Sequence, residues 1–328
     1  MHDSAPVATE KRVLVTGAAG FVGGHVVQFL LRNTDWSVIC LVRLGNSGDL
    51  RRLLPSLCSR LTIVYHDLKY CLHESIREQI GSVDHVLHLA ANSHVDRSIA
   101  HPREFFEDNV IGTVNLLDYV RQYQPEARLI NFSTDEVYGP APGPAFREED
   151  RFRPSNPYAA SKAAQSLIGV AYAVTYGMDI LNTYTMNIFG EGQNPEKLIP
   201  KAIRFARERK PMPVFAELNL DQALVAVGSR HWLYVGNVGP ALLFLLEHGL
   251  AGENYNIVGT DELTNEDVVL AVNRCLKTDP LIEYVDFNLV RPGHDRRYAI
   301  DGTKLMKLGW SPIIGFQEGI GRVVLSER

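Results

Sequence analysis

Apolar and polar positions along the chain follow two alternating patterns. Short apolar runs rich in β-branched residues alternate with stretches in which apolar residues recur at helical spacing. The runs cover residues 12–16, 37–42, 61–65, 83–89, 129–132 and 179–188, and helical stretches lie near 48–54, 72–80, 102–122 and 157–176. Such alternation predicts an α/β fold, a Rossmann-type doubly wound parallel sheet covered by helices on both faces.

The pattern becomes irregular beyond residue 188, where short strand-like runs and helical stretches are mixed. Thr264 followed by Asp267 predicts a capped helix start in this part of the chain. The expected divisions are a flexible tail at 1–10, a dinucleotide-binding Rossmann domain at 11–188 and a smaller mixed α/β lobe at 189–328 that mainly binds the substrate.

Composition excludes several classes of protein. The hydrophobic share of 45% and the charged share of 22% are typical of a globular protein, and a net charge of −5 argues against general binding to nucleic acid or to a membrane surface. The four cysteines lack Cys-x-x-Cys spacing, so neither a disulfide framework nor a thiolate zinc site is indicated. No apolar segment approaches the roughly 18 to 20 residues needed to span a bilayer, and residues 1–10 lack the apolar core of a signal peptide. We expect a cytoplasmic protein.

A glycine-rich segment at 17–23 follows the first predicted strand and opens a helix. Glycine lacks the Cβ that would block close approach, so a pyrophosphate can bind the amides at the helix N-terminus. A tight turn is the simpler explanation, but the position between strand and helix favours dinucleotide binding. The expected cofactor contacts in this segment are Gly17, Gly20, Phe21 and Val22.

The second predicted strand ends without the acid that binds the adenosine ribose of NAD. Val42 is followed by Arg43, and Asn46 and Ser47 come soon after. A guanidinium with polar donors suits a 2′-phosphate, although a solvated arginine would explain Arg43 equally simply. The sequence therefore favours NADP as cofactor, with NAD as the alternative.

Further candidates follow the next strands, because ligands of such sheets bind beyond the carboxyl ends of the strands. His88 lies within an apolar run and is interpreted as a core residue, whereas His94 follows the strand end and is a candidate substrate contact. No histidine or acid stands at metal-ligand spacing, so we expect no metal site. The additional cofactor candidates at these strand ends are Asp67, Leu68, Ala90 and Ala91.

Two adjacent acids follow the apolar run that ends at residue 132. Thr134, Asp135 and Glu136 emerge together there, before Gly139. Acids in such a place must be solvated, paired, or held with separated pKa values, and the last arrangement supplies one general acid and one general base. A surface turn closed by Gly139 would explain the same residues.

A helix is predicted over 157–176, with Asn156 as its cap and Pro157 in its first turn. Tyr158 and Lys162 lie four residues apart, on one face of this helix. A nearby ammonium favours the phenolate form of tyrosine, but this spacing also occurs by chance on many amphipathic helices.

Five motifs in this order resemble the extended short-chain dehydrogenase/reductases, and within them the sugar-nucleotide 4,6-dehydratases. The resemblance runs from about residue 12 to residue 319. The motifs lie at residues 87–98, 133–139, 156–162, 195–200 and 291–298.

The resemblance implies an internal redox cycle on a nucleotide-diphosphate hexose such as dTDP- or UDP-glucose. Tyr158, helped by Lys162 and Thr134, would take the proton of the 4-hydroxyl as hydride leaves C4 for the nicotinamide. Glu136 would then remove the C5 proton, Asp135 would protonate the departing 6-hydroxyl, and hydride would return to C6. The product is a 4-keto-6-deoxy sugar, and the tightly bound cofactor ends as it began.

The resemblance also implies further contacts and a homodimer formed by the helices near 102–122 and 157–176. Three segments depart from the family pattern: the strand end at 42–43, Asn92, and a longer stretch at 216–229. Tyr158 and Lys162 would touch the cofactor as well as the sugar. The residues implied to hold the nucleotide diphosphate and base are Asn187, Lys197, Arg230 and Arg297.

Two other functions remain open at this point. A sugar-nucleotide 4-epimerase needs Thr134, Tyr158 and Lys162 but no acid/base pair for C5 and C6. A non-catalytic regulator that binds a sugar nucleotide or NADP needs none of the reactive side chains.

Overall fold

The computed structural model of the protein describes residues 10–43, 45, 48–218, 224–286 and 297–327. The chain forms two compact units, each made of three segments. The first unit comprises the chain up to Phe132, Ala164–Asn182 and Leu245–Glu253; the second comprises Ser133–Ala163, Thr183–Phe244 and the chain from Asn254 onward. The division into domains made from the sequence stays a prediction.

The strands of the main sheet are the apolar runs of the sequence. Parallel pairing of β1 with both β2 and β4, and the order β12-β6-β5-β4-β1-β2-β3, confirm the Rossmann-type sheet. The described strands are β1 (Arg12–Thr16), β2 (Ser37–Val42), β3 (Leu61–Tyr65), β4 (His85–His88), β5 (Arg128–Thr134), β6 (Ile180–Thr185), β7 (Ile188–Phe189), β8 (Met212–Leu218), β9 (Leu224–Ala226), β10 (Ser229–His231), β11 (Leu233–Tyr234), β12 (Asn254–Ile257), β13 (Glu262–Thr264) and β14 (Ile282–Asp286).

Smaller sheets account for the irregular pattern beyond residue 188. The predicted run 179–188 ends early, because β7 leaves the main sheet and pairs with β11. The atypical stretch 216–229 begins in an antiparallel pair of β8 with β9, and β14 lies parallel to β8 on its other side.

Helices flank these strands. They are α1 (Phe21–Asn33), α2 (Glu74–Ile80), α3 (Val95–Ala100), α4 (Pro102–Phe106), α5 (Gly112–Tyr123), α6 (Pro157–Tyr176), α7 (Leu198–Arg207), α8 (Val238–His248), α9 (Asn265–Leu276), α10 (Thr303–Leu308) and α11 (Phe316–Ser326). The capping box before α9 is confirmed: the Thr264 hydroxyl accepts the Asp267 amide at 3.1 Å, and an Asp267 carboxylate oxygen accepts the Thr264 amide at 2.9 Å.

Two predicted helices differ in detail from the structure, in which residues 102–123 are helical throughout. Residues 48–54 form no α-helix: short 3-10 turns cover Leu50–Arg52 and Leu54–Ser56, and Pro55, within the second turn, has no amide to donate to a continuing helix. The long helix predicted over 102–122 is divided into α4 and α5 by a π-helical turn at Glu107–Ile111.

The core of the first unit lies between its strands and the adjoining helices. Leu14, Ile39, Val64 and Val86 from four neighbouring strands pack with Leu116 of α5 and are fully buried. Each such side chain stabilises the unit by about 1.5–3 kcal/mol. This packing fixes the carboxyl ends of the strands, where the candidate cofactor residues follow.

The core of the second unit is aromatic near the acidic turn. Tyr138 is fully buried, and its ring contacts Phe146, Phe152 and Tyr184 with ring centres 5.3–5.6 Å apart. Gly139 has φ +80°, and a Cβ there would lie 2.3 Å from the carbonyl oxygen of Arg153. The turn after β5 is therefore anchored in a core, which contradicts its interpretation as a surface turn.

Among the described residues, no helix combines the length and the apolar character needed to cross a membrane. The cytoplasmic location expected from the sequence stays a prediction.

Candidate active site

The acidic turn begins where β5 ends. Thr134 is the last residue of β5 and the N-cap of the 3-10 turn Asp135–Tyr138. Its hydroxyl donates to Oδ1 of Asp135 at 3.0 Å and accepts the amide of Glu136 at 3.4 Å. Asp135 is only 5% exposed, whereas Glu136 is half-buried. The two neighbouring acids therefore occupy different environments.

Burial changes the protonation of the Asp135 carboxyl group. Desolvation and, next, the nearby Glu136 raise the pKa of Asp135 to about 7, while Arg230 and the Thr134 hydrogen bond act in the opposite direction. A carboxyl group with this pKa is half protonated at neutral pH, which is the condition for donating a proton there.

Asn156 makes a contact that the sequence did not predict. Its Oδ1 accepts the amide of Ala159 at 2.8 Å, which confirms the predicted helix cap, and its Nδ2 donates to Oε2 of Glu136 at 3.2 Å. No sequence pattern links positions 136 and 156, which lie on different elements. The candidate base is thus bonded to the residue that starts α6.

Tyr158 and Lys162 lie in the first turns of α6 and are buried. Burial and the charge of Glu136 hold the pKa of Tyr158 well above its ordinary value, and a hydrogen bond with Thr134 opposes this shift. Burial lowers the pKa of Lys162 to about 7, so its ammonium is only partly populated at neutral pH. Positive charge near Tyr158 would favour its ionised form.

The glycine turn has the shape that a pyrophosphate requires. Gly17 has φ +67°, and a Cβ there would lie 2.7 Å from the amide nitrogen of Ala90. A Cβ on Gly23 would lie 2.2 Å from the carbonyl oxygen of Gly17. Gly20 caps α1 without a side chain, so the first-turn amides at Phe21 and Val22 lack intrahelical partners. This cradle fits the pyrophosphate of a dinucleotide.

A chain of hydrogen bonds fixes the backbone opposite this cradle. The amide of Ala90 donates to the Thr16 hydroxyl at 3.1 Å, and that hydroxyl lies 2.8 Å from Nδ1 of His88. Nε2 of His88 lies 2.9 Å from the Thr113 hydroxyl, which donates to the carbonyl of Asn109 at 2.6 Å. Thr113 must therefore accept from Nε2–H, which assigns that tautomer to His88. The interpretation of His88 as a satisfied core residue is confirmed.

Arg43 is engaged by carboxylates of the same unit. Its guanidinium forms a bidentate pair with Asp108, at 2.6 and 3.1 Å, and lies 3.6 Å from Asp67. Lys69 lies 3.7 Å from the same oxygen of Asp67. Two cations and two anions leave no net positive charge for a 2′-phosphate, so the preference for NADP is not supported. Asn46 and Ser47, which entered that prediction, lie outside the described residues.

The remaining cofactor candidates are in the same unit. Leu68 is buried in its core, and Ala91 is half-buried beside Ala90. Asn92, one of the departures from the family pattern, exchanges two hydrogen bonds with Asn109, at 2.7 and 3.0 Å.

Arg230 is the predicted substrate residue that lies near the acids. Its guanidinium lies 5.1 Å from the ring centre of Tyr298, and its charge acts on Asp135. Arg297 forms a bidentate pair with Glu262, with Nη2 at 2.8 Å from Oε2, and it also donates to two backbone carbonyls. The other residues of that predicted motif, 291–296, lie outside the described residues.

The other predicted substrate residues are dispersed. Asn187 is half-buried, and its carbonyl accepts the amide of Leu233 at 3.1 Å. Lys197 is exposed at the start of α7. His94 belongs to the first unit, where Nδ1 caps α3 by accepting the amide of Arg97 at 3.4 Å. Their roles in binding stay predictions.

Within the part of the chain that the structure describes, no group of three His, Cys, Asp or Glu side chains is placed to hold a metal ion. The groups with reactive chemistry at the candidate site are Asp135, Glu136, Tyr158 and Lys162.

The strand order, the glycine cradle and the Tyr158–Lys162 pair together define an extended short-chain dehydrogenase/reductase. The model of the family described as GDP-mannose 4,6 dehydratase matches residues 14–323. The chain belongs to this family.

Similar proteins include several dehydratases. The chain is 37% identical to a dTDP-glucose 4,6-dehydratase of Salmonella typhimurium, over 95% of this chain and 91% of the relative. The crystal structure of DesIV, a dTDP-glucose 4,6-dehydratase of Streptomyces venezuelae with NAD and TYD bound, is 36% identical, with a TM-score of 0.85 over 96% of each chain. A UDP-glucose 4-epimerase of Thermus thermophilus in complex with NAD is 31% identical, with a TM-score of 0.84 over 96% of this chain and 98% of that chain.

Proposed function

We propose that the protein is a sugar-nucleotide 4,6-dehydratase, a lyase that converts a dTDP- or UDP-glucose-like substrate into the 4-keto-6-deoxy sugar and water. The observation that carries this proposal is the acid pair after β5. Asp135 is buried with a pKa raised to about 7, directly beside the half-buried Glu136. An enzyme that eliminates water across C5 and C6 needs such an acid beside a base.

The residues of the chain divide the reaction between them. Tyr158 accepts the proton of the sugar 4-hydroxyl as hydride leaves C4, and the resulting ketone acidifies the C5 proton. Glu136 removes that proton, and Asp135 protonates the 6-hydroxyl, which departs as water. Hydride then returns to C6 and a proton to C5. Acid and base assistance contribute roughly a hundredfold to ten-thousandfold each.

The bound cofactor supplies the acceptor and later the donor of this hydride, so it is unchanged at the end of the cycle. When bound, its oxidised ring would supply positive charge that favours the phenolate form of tyrosine. Lys162 contributes further positive charge in the fraction of molecules in which it is protonated.

NAD is the cofactor that the residues support. The glycine cradle fits the pyrophosphate of NAD and of NADP equally. The guanidinium of Arg43, however, is already bonded by both of its Nη atoms to Asp108, so it is not available to bind the 2′-phosphate of NADP. The DesIV and epimerase structures both contain NAD. Cofactor released from the purified protein should be NAD without a 2′-phosphate; recovery of NADP would contradict this assignment.

The expected homodimer has a suitable surface on the outer side of α6. Leu167 and Val174 lie seven residues apart on one face of the helix and are 57% and 81% exposed. Phe106 and Ile111, near the π-helical turn, are also exposed. Sedimentation velocity should show that the wild type is a dimer and that Leu167→Glu dissociates it. Leu325→Glu, which changes another exposed leucine, is the control and should leave the dimer intact. A monomeric wild type would contradict the proposal.

A 4-epimerase is the competing function, and the similarity to the Thermus thermophilus enzyme favours it. Epimerisation at C4 conserves mass and needs no proton transfer at C5 or C6, so it would leave Asp135 and Glu136 without a catalytic role. Mass spectrometry of a reaction with dTDP- or UDP-glucose separates the two, because only dehydration removes one water. Any turnover would also exclude a non-catalytic regulator.

A further inference from the structure

Asn156 contacts two elements of the second unit at once. On one side it caps α6: its side-chain oxygen accepts the amide of Ala159 at 2.8 Å, and its main-chain oxygen accepts the amide of Ala160 at 2.9 Å. On the other side its Nδ2 donates to Oε2 of Glu136 at 3.2 Å. One side chain therefore connects the acidic turn to α6, the helix that carries Tyr158 in its first turn.

The orientation of this amide group is fixed by its partners. The main-chain amide of Ala159 can only donate, so Oδ1 of Asn156 must face the helix and Nδ2 must face the carboxylate. A half-turn of the amide would place its oxygen against Glu136 and its donors against the Ala159 amide. Both contacts would then be repulsive, so Asn156 is held as a donor to Glu136.

We propose that Asn156 is a positioning residue for the elimination step: it holds the carboxylate of Glu136 in place relative to the start of the helix that carries Tyr158. The inference rests on the proposed function. The amide donor of Asn156 bonds directly to Oε2 of Glu136 and so fixes the position of that oxygen. Because the same residue caps α6, the position of the base is tied to the start of the helix that carries the tyrosine.

The two halves of the reaction depend on Asn156 differently. Oxidation at C4 uses Tyr158, whereas removal of the C5 proton uses Glu136. Loss of the amide donor should therefore slow elimination and leave oxidation nearly unchanged. A residue that only capped the helix would affect both steps together, since Tyr158 is in the first turn.

Substitutions at position 156 can separate capping from donation. Asn156→Ser keeps a capping oxygen of similar strength but has no amide to reach Glu136. Asn156→Asp keeps the cap and places a negative charge against the base. Thr264→Ala, which removes the cap of α9, is the control for loss of a cap on a helix other than α6.

The experiment is a single turnover of the holoenzyme with dTDP-glucose. Absorbance of the reduced nicotinamide rises with oxidation at C4 and decays when hydride returns to C6 after elimination. In Asn156→Ser we expect the rise to be unchanged and the decay to slow on the order of tenfold to a hundredfold, the value of one hydrogen bond to a charged group. Asn156→Asp should slow the decay further, and Thr264→Ala should change neither phase.

Each outcome decides the inference. Wild-type decay in Asn156→Ser, or equal slowing of both phases, would overturn it. The ratio of the two rates is independent of the folded fraction, so a loss of stability in a variant does not obscure the result. If the wild-type enzyme released no water, the proposed function itself would be wrong. If the wild type released water and Asn156→Ser did so at the same rate, only the role of Asn156 would be wrong.

Discussion

The buried carboxyl of Asp135 should make the stability of the protein depend on pH. In the folded state its pKa is raised from 3.8 to about 7, chiefly by burial. The folded protein therefore holds this proton to a higher pH than the unfolded chain does. The corresponding stability is fully present below about pH 4 and is lost as the pH rises through about 7.

Asp135→Asn removes this dependence, because the amide is neutral at every pH. At 1.36 kcal/mol for each pKa unit, the shift corresponds to about 4 kcal/mol as an upper bound, since surrounding groups can rearrange around the charge. The variant should thus be more stable than the wild type at about pH 8 by up to this amount, and the advantage should vanish toward about pH 4. The same variant should lose elimination activity, because an amide cannot protonate the leaving hydroxyl.

Urea unfolding followed by tryptophan fluorescence measures this difference. The free energy of unfolding of both proteins is determined at several pH values, and titrating groups that do not interact with Asp135 cancel in the comparison. Asp35→Asn, a substitution of an exposed loop aspartate, is the control and should show no such trend. A difference between Asp135→Asn and wild type that stays constant with pH would refute the assignment of Asp135 as a buried acid.

Further predictions concern the cofactor and the first chemical step. Asp108→Asn removes the ion pair that holds Arg43 and should raise the affinity for NADP relative to NAD by about tenfold, or about 1.4 kcal/mol. Fluorescence titrations measure the two affinities, and an unchanged ratio would exclude a role for the Arg43–Asp108 pair in cofactor selection. Gly17→Ala should lower the melting temperature and weaken NAD binding, because the new Cβ would lie 2.7 Å from the Ala90 amide at a positive φ; normal binding would contradict the cradle. Tyr158→Phe should form no reduced nicotinamide with substrate, and its formation at the normal rate would remove Tyr158 as the base.

Much of the fold could be predicted from the sequence because the sheet is built from local patterns. Each apolar run is long enough for one buried strand, and the alternation with helices leaves few topologies for a parallel sheet. The errors occurred where a local pattern is interrupted. The helix predicted over 102–122 has continuous helical spacing, which does not reveal the π-helical turn at Glu107–Ile111.

The candidate site was predictable only in part, for a related physical reason. Thr134, Asp135 and Glu136 could be located because strand ends meet at one edge of the sheet, and Tyr158 because it follows a helix cap. The partners of charged groups are decided by contacts between distant positions. The pair of Arg43 with Asp108 and the bond from Asn156 to Glu136 have no sequence signal, and the first of these is the reason why the preference for NADP is not supported.

The protein is proposed to eliminate water from a nucleotide-diphosphate hexose. The most direct test is incubation of the purified holoenzyme with dTDP-, UDP-, GDP- and CDP-glucose, with mass spectrometry of each product. We expect at least one product to be lighter by one water, with C6 converted into a methyl group. A product of unchanged mass would identify an epimerase and contradict the assignment, and absence of any conversion across this panel would contradict it as well.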